Sequence, residues 1–87
     1  MEPTDRGGQT ATPNQKLSDI AQGQEVILVG LDGGSQFVHR MAELGLTPGV
    51  RFRVIRRARL GPFIISIKDT RLMLGHGMTR KVLVRRV

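Results

Sequence analysis

The sequence predicts a mainly β domain: a small antiparallel barrel, closed or half-closed, of about five strands with one short helix between the first two strands. Short runs of β-branched and aliphatic residues recur at close spacing, separated by turn residues. Only one stretch has apolar residues at helical spacing, and no alternation of strands and helices follows it. Closing the sheet would also remove the exposed edges that a small β domain has to shield.

The chain is predicted to divide into a disordered tail, residues 1–16, and a folded domain, residues 17–87. The tail is rich in Thr, Gly, Pro and Gln, and it cannot bury enough apolar surface to offset the entropy cost of ordering. Leu17 and Ile20 begin the domain as a short turn, with both side chains expected in the core. Glu25–Leu31 follows as a strand, because its near-continuous apolar run indicates burial on both faces.

The spacing of apolar residues over 35–44 predicts a short amphipathic helix. Ser35 is expected to cap its amino end, because a serine hydroxyl can accept a hydrogen bond from a free backbone N–H. His39, Arg40 and Glu43 fall off the apolar stripe and are expected to face solvent or a partner. Helical spacing assigns five residues to the buried stripe: Phe37, Val38, Met41, Ala42 and Leu44.

Glycine and proline positions predict how this helix ends. Gly45 comes where the chain must turn left-handed, which glycine does without steric cost. Leu46 is placed to fold back onto Met41, as in many helix ends. Pro48 and Gly49 occupy the central positions of a type II turn. Gly45, Leu46, Pro48 and Gly49 are therefore predicted to be structural residues.

Four strands are predicted from this turn onward. The first covers residues 50–57 and begins at the turn. The return strand is expected over residues 63–68, followed by a tight turn at residues 69 and 70 and a short strand over 71–74. Residues 78–80 are expected to form one helical turn before the last strand, 81–87. In the first of these strands, Val50, Phe52 and Val54 share one face, and Arg51, Arg53 and Arg57 share the other.

Composition and charge restrict the classes of function. The chain has 14 Lys and Arg against 7 Asp and Glu, a net charge of +7, and no cysteine. A basic domain indicates an acidic partner, nucleic acid or lipid headgroups, and the alternative is a solvated basic face. The lack of cysteine excludes disulfides and thiolate sites and fits a reducing cytoplasm. No apolar run approaches the ~20 residues that cross a bilayer, so no direct membrane insertion is expected.

Catalysis and cofactor binding are not expected, because no nucleophile and base occur at a recognisable spacing. His39 and Glu43 are spaced i, i+4 on the exposed helix face and are weak candidates for a metal site. His76 would complete the set only if the fold brings it close. The alternative is an exposed histidine beside a carboxylate, since this spacing is common. Binding of iron or another divalent metal therefore stays open.

The chain from Leu17 to Val84 resembles the FeoA family of ferrous iron transport accessory proteins. The most specific segment is residues 43–49, Glu-Leu-Gly-Leu-Thr-Pro-Gly, followed by a basic strand and a Gly-Pro pair at residues 61 and 62. The sequence departs from the family pattern at residues 69–70, where the family often has glycine, and again at residues 75–78. Other matching segments are 31–34, 40–42, 56–58, 72–74 and 82–84.

This resemblance implies an SH3-like β-barrel and a role in bacterial ferrous iron uptake. The implied partner is the membrane permease FeoB, contacted on its cytoplasmic part, including its GTP-binding domain. The protein would be cytoplasmic and recruited to the inner membrane by this partner. The residues predicted to bind the partner are His39, Arg40 and Glu43 on the helix and Arg57 and Arg59 at the hairpin.

Two other functions stay open at this point. A basic SH3-like barrel could bind RNA, but no nucleic acid is expected, because the aromatic residues that would stack on bases are all predicted to be core. Those residues are Phe37, Phe52 and Phe63. The second alternative is a stand-alone interaction domain like the carboxyl-terminal module of DtxR-type iron-dependent repressors.

Overall fold

The computed structural model describes residues 14–58 and 61–87, and most of its regular structure is β. The predicted fold class, mainly β with one short helix between the first two predicted strands, is confirmed; those two strands are the second and third of the structure. In chain order the elements are β1 (Gln15–Lys16), a 3-10 helix (Leu17–Asp19), β2 (Glu25–Leu31), α1 (Ser35–Glu43), β3 (Arg51–Arg56), β4 (Phe63–Ile67), β5 (Thr70–Leu74), α2 (His76–Thr79) and β6 (Val82–Arg86).

The six strands form one antiparallel sheet in the order β1-β6-β2-β3-β4-β5. β2 pairs with β6 on one side and with β3 on the other, so the last strand of the chain lies inside the sheet. The edge strands β1 and β5 do not pair with each other among the described residues. The predicted antiparallel sheet is confirmed; it has six strands where about five were predicted, and it is not closed.

The additional strand lies in the segment predicted to be a disordered tail. Gln15 pairs with Val84 and Lys16 pairs with Leu83, so ordered structure begins before the predicted boundary at residue 17. A two-residue strand is too short to show alternation in the sequence. Residues 1–13 of the predicted tail lie outside the described residues.

One hydrophobic core lies against the inner face of the sheet. The 3-10 helix and α1 contribute Leu17 and Met41, which are both fully buried, so each of these elements inserts a side chain into that core. Removing this apolar surface from water is the main favourable term in folding. The core consists of Leu17, Ile20, Val26, Leu28, Met41, Leu46, Phe52, Val54, Phe63, Ile65, Ile67, Leu74, Val82 and Val84.

A β-bulge near the end of β3 corrects the predicted face assignment. The register between β3 and β4 shifts between Val54 and Arg56, so Ile55 is an extra residue without a partner on β4. This bulge explains why an apolar residue interrupts the charged face in the sequence. As a consequence Arg56, and not Arg57, follows Arg53 on the outer face, and β3 ends at Arg56.

The turn between β4 and β5 lies one residue earlier than predicted. Ile67 pairs with Thr70, so residues 68 and 69 form a two-residue loop. Lys68 has a φ angle of 55°. This left-handed conformation is uncommon for a residue with a side chain, and glycine is the usual residue there. The turn therefore places backbone strain on Lys68.

Candidate functional site

The carboxyl end of α1 is fixed by a Schellman motif. Gly45 has a φ angle of 93°, and its N–H donates to the Ala42 carbonyl at 2.9 Å. The N–H of Leu46 donates to the Met41 carbonyl, also at 2.9 Å. Leu46 and Met41 are both fully buried. The left-handed stop and the fold-back of the next residue thus occur where the sequence predicts them.

The turn after α1 joins the helix to β2. Gly49 has a φ angle of 94°, and the N–H of Val50 donates to the Thr47 carbonyl at 3.1 Å, as in a type II turn with Pro48 at its second position. The N–H of Gly49 donates to the Leu28 carbonyl at 2.8 Å, and the N–H of Leu28 donates to the Val50 carbonyl at 2.9 Å. These bonds hold the end of α1 in one place on the sheet.

The amino end of α1 differs from the prediction. Gly34, and not Ser35, is the N-cap residue, and no side chain caps the helix. Ser35 is instead the first helical residue. The Phe37 ring lies close to Gly33, because a Cβ atom at residue 33 would come within 2.6 Å of its Cδ2 atom. Glycine at this position therefore makes room for the ring.

Three polar side chains project into solvent from α1: His39, Arg40 and Glu43. His39 Nε2 lies 3.4 Å from Glu43 Oε2, and the two side chains are 78% and 66% exposed. A contact between side chains this exposed contributes little to stability, so both side chains are available to a partner. The structure therefore brings together on one helix three of the five residues predicted to bind a partner.

Three residues that the sequence analysis placed in the buried stripe are exposed, Val38, Ala42 and Leu44, and the two larger ones extend this surface. Val38 and Leu44 are each 39% exposed, whereas Met41 is fully buried and Phe37 is half-buried. A single helix of nine residues contacts the core along a narrow strip, so the edges of its apolar stripe stay in solvent. We call the set Val38, His39, Arg40, Glu43 and Leu44 the α1 surface.

Arg57 lies away from the α1 surface. α1 lies at the end of the sheet where β2 ends and β3 begins at Arg51, and Arg57 follows the other end of β3, about 20 Å away for an extended strand. The Arg57 N–H donates to Gln22 Oε1 at 3.1 Å. Arg59 lies outside the described residues. The helix residues and Arg57 therefore belong to two separate surfaces.

A cleft of about 400 Å³ lies beside α2, and Arg57 is part of its lining. α2 is the helical turn predicted for residues 78–80, and it begins earlier, at His76. Thr79 is fully buried, and its hydroxyl donates to the His76 carbonyl at 3.0 Å. The cleft is lined by Ser18, Arg57, Ala58, Phe63, His76 and Thr79.

Neither a cluster of metal ligands nor a membrane-spanning helix is found among the described residues. They contain no group of three or more His, Cys, Asp or Glu side chains that could hold a metal ion. His39 and Glu43 are close together on α1, but His76 lines the cleft instead of joining them. Within residues 14–58 and 61–87, no helix has the length and apolar character needed to cross a membrane.

Comparison with known sequences identifies one family. The model of the FeoA domain matches residues 15–86, which include the whole α1 surface. An inferred Fe(2+) transport protein A from Methanocaldococcus jannaschii is 35% identical over 68 residues, which cover 78% of this chain and 82% of that protein.

Solved structures share the same fold. The crystal structure of an iron uptake regulatory protein, FeoA, superposes with a TM-score of 0.80 at 32% identity and covers 86% of this chain and 100% of its own. FeoA from Chlorobium tepidum has a TM-score of 0.75 at 23% identity, covering 84% and 70%. A manganese-dependent transcriptional repressor has a TM-score of 0.78 at 22% identity, covering 92% of this chain and 46% of its own. These likenesses confirm the SH3-like fold class, and the last two bear on the fold alone.

Proposed function

The chain belongs to the FeoA family, and on this premise we propose that it is an accessory protein of ferrous iron transport that acts by docking on the permease FeoB. The docking site on the permease would be its cytoplasmic part, including the GTP-binding domain. The protein would work in the cytoplasm, next to the inner membrane. Its role would be to bind, and it would carry out no chemical step of its own.

The observation that supports docking most strongly is the composition of the α1 surface. It combines the exposed His39, Arg40 and Glu43 side chains with the exposed apolar side chains of Val38 and Leu44. Protein interfaces commonly have an apolar centre surrounded by a polar rim, and arginine is enriched in them. The charges of the rim would set the encounter rate and the orientation of the complex more than its affinity.

The rigidity of α1 also favours this role. The Schellman motif and the hydrogen bonds between Gly49 and Leu28 fix the helix before any partner arrives. A surface that is already ordered loses less conformational entropy on binding. Arg57, together with Arg59 two residues later in the chain, would form a second contact with an acidic patch on the same partner.

The test is a binding assay between the full chain and the purified cytoplasmic part of FeoB. Changing both Arg40 and Glu43 to alanine should weaken binding about tenfold, the loss expected when truncated interface side chains together remove about 1.4 kcal/mol. The melting temperature should stay nearly unchanged, because both side chains are exposed.

The matched control is the double change Asp69→Ala and Arg71→Ala. It removes one carboxylate and one guanidinium, both exposed, from the β4–β5 hairpin instead of from α1. We expect this control to bind the cytoplasmic part of FeoB as tightly as the parent does, and the α1 variant to bind it more weakly. Equal affinity of the α1 variant and the parent would exclude the α1 surface as the docking site.

A further inference from the structure

The face of the sheet that points away from the core is rich in arginine. Arg51 on β3 and Arg85 on β6 both pair with Ile27 on β2, one on each side of it. Ile27 alternates with the buried residues Val26 and Leu28, and side chains alternate between the two faces of a strand. The row formed by Arg51, Ile27 and Arg85 therefore lies on the outer face.

The next row across the sheet adds two more arginines. It runs from Glu25 through Arg53 and Ser66 to Arg71. Arg53 Nη2 lies 3.5 Å from Glu25 Oε1, and its Nη1 donates to the Gly23 carbonyl at 2.7 Å. Glu25 is the sole carboxylate of the six described strands, so this face keeps a strong positive excess.

The bulge in β3 brings a third row onto the same face, formed by Arg56, Ile64 and Met73. Met73 is 71% exposed, which is unusual for a large apolar side chain. The outer face thus has an apolar projection among its arginines. We call the set Arg51, Arg53, Arg56, Arg71 and Arg85, with Met73, the outer arginine face.

We propose that the outer arginine face binds the anionic headgroups of a phospholipid surface. A guanidinium group matches the geometry of a phosphate and can donate two parallel hydrogen bonds to it. Guanidinium groups on three adjacent rows of one sheet can contact several headgroups at once. The Met73 side chain would enter the boundary between headgroups and acyl chains, where apolar side chains gain free energy.

The described residues favour a lipid surface over a nucleic acid. Proteins that bind single strands stack bases on aromatic side chains, and the chain has three phenylalanines and no Trp or Tyr. Phe52 and Phe63 are buried, and Phe37 is half-buried with Lys81 Nζ 5.4 Å from its ring centroid. An exposed methionine gains nothing from a phosphodiester backbone, whereas it gains from a lipid boundary.

Lipid binding would use a different part of the molecule from the docking proposed above. Met41 of α1 belongs to the same core as the inward side chains of the sheet, so α1 packs on the core side of the sheet. The outer arginine face lies on the opposite side. The protein could therefore contact a membrane and the permease at the same time, and each contact can be tested without the other.

The experiment is sedimentation of the full chain with phosphatidylcholine vesicles that contain phosphatidylglycerol, in the absence of any permease. Vesicles of phosphatidylcholine alone serve as the neutral reference. The parent should bind the anionic vesicles, should not bind the neutral ones, and should dissociate as salt is raised. Replacing Arg51 and Arg85 by glutamine should weaken binding about 25-fold, since each basic residue near an anionic surface contributes about fivefold.

The matched control replaces Arg40 and Arg80, on and next to the two helices, by glutamine. Both double variants lower the net charge from +7 to +5 (7 − 2), so an effect of net charge alone would be equal in the two. If the control binds the anionic vesicles as tightly as the parent does, the result supports binding through the outer arginine face. An equal loss in the two variants, or binding of the parent to neutral vesicles, would overturn the proposal.

Two further measurements test the role of Met73 and the preference for lipid over RNA. Met73→Gln should weaken vesicle binding severalfold without changing its salt dependence, and this would support contact with the acyl boundary. An unstructured RNA oligonucleotide should bind the parent more weakly than the anionic vesicles do. Tighter binding to RNA that is also lost in the Arg51 and Arg85 variant would assign the face to nucleic acid and overturn the lipid proposal.

Discussion

The change Gly45→Ala tests the physical basis of the α1 surface. The φ angle of Gly45 is 93°, and a Cβ atom built on it would meet no heavy atom within 4 Å. The substitution therefore creates no collision, and its cost comes from the backbone conformation alone. A left-handed conformation costs a residue with a side chain roughly 1–2 kcal/mol, and the Schellman hydrogen bonds of Gly45 and Leu46 prevent the chain from leaving it.

The free energy of unfolding should fall by about this amount. In a domain of this size, 1 kcal/mol shifts the melting temperature by about 4–8 °C, so thermal unfolding followed by circular dichroism can detect the change. Gly45→Asn should cost less, because asparagine tolerates the left-handed region. Gly45→Val should cost more, because β-branched residues resist positive φ angles.

The same substitution at Gly77 is the matched control. Gly77 lies within α2, has no positive φ angle, and has open space where a Cβ atom would sit. Gly77→Ala should raise stability by about 0.5–1 kcal/mol, because alanine is the better helix former. If the melting temperature of Gly45→Ala equals or exceeds that of the parent, the left-handed conformation is not the reason why glycine is needed at residue 45.

Two further predictions concern the core and the hairpin. Met41→Ala should lower the unfolding free energy in urea by about 2–5 kcal/mol, because the side chain is fully buried beneath α1; a loss below about 1 kcal/mol would mean that α1 contributes little to the core. Lys68→Gly should raise the melting temperature by a few degrees, because it relieves the strain of a φ angle of 55°; a decrease would show that the Lys68 side chain stabilises the turn more than the strain costs.

The strands and the end of α1 were predictable because the interactions that determine them are local. Phe52 and Val54 alternate with arginines within a single strand, and side-chain alternation follows from strand geometry. Gly45 and Gly49 mark backbone conformations that other residues adopt only at a cost. The buried stripe of α1 was predicted too wide, because helical spacing gives the direction of a side chain and not the extent of the surface that covers it.

The exposed residues of the α1 surface were predictable in part for the same reason. The exposed positions of His39, Arg40 and Glu43 follow from helical periodicity, and the structure places them in solvent. The exposure of Val38 and Leu44 was not predicted, since an apolar residue at the edge of a stripe has the same sequence signal as one in its centre. Their exposure depends on how much of the core a single short helix can cover.

The sequence by itself determined the fold class, the family resemblance, the direction of most strand side chains and the left-handed stop after α1. Only the tertiary structure decided that the sheet stays open, that Ile55 forms a bulge, and that Arg51 and Arg85 lie on either side of Ile27. Alternation and turn conformation depend on neighbours in the chain, whereas strand order and register depend on pairing between distant residues. That pairing is what collects arginines from β3, β5 and β6 on one face of the protein.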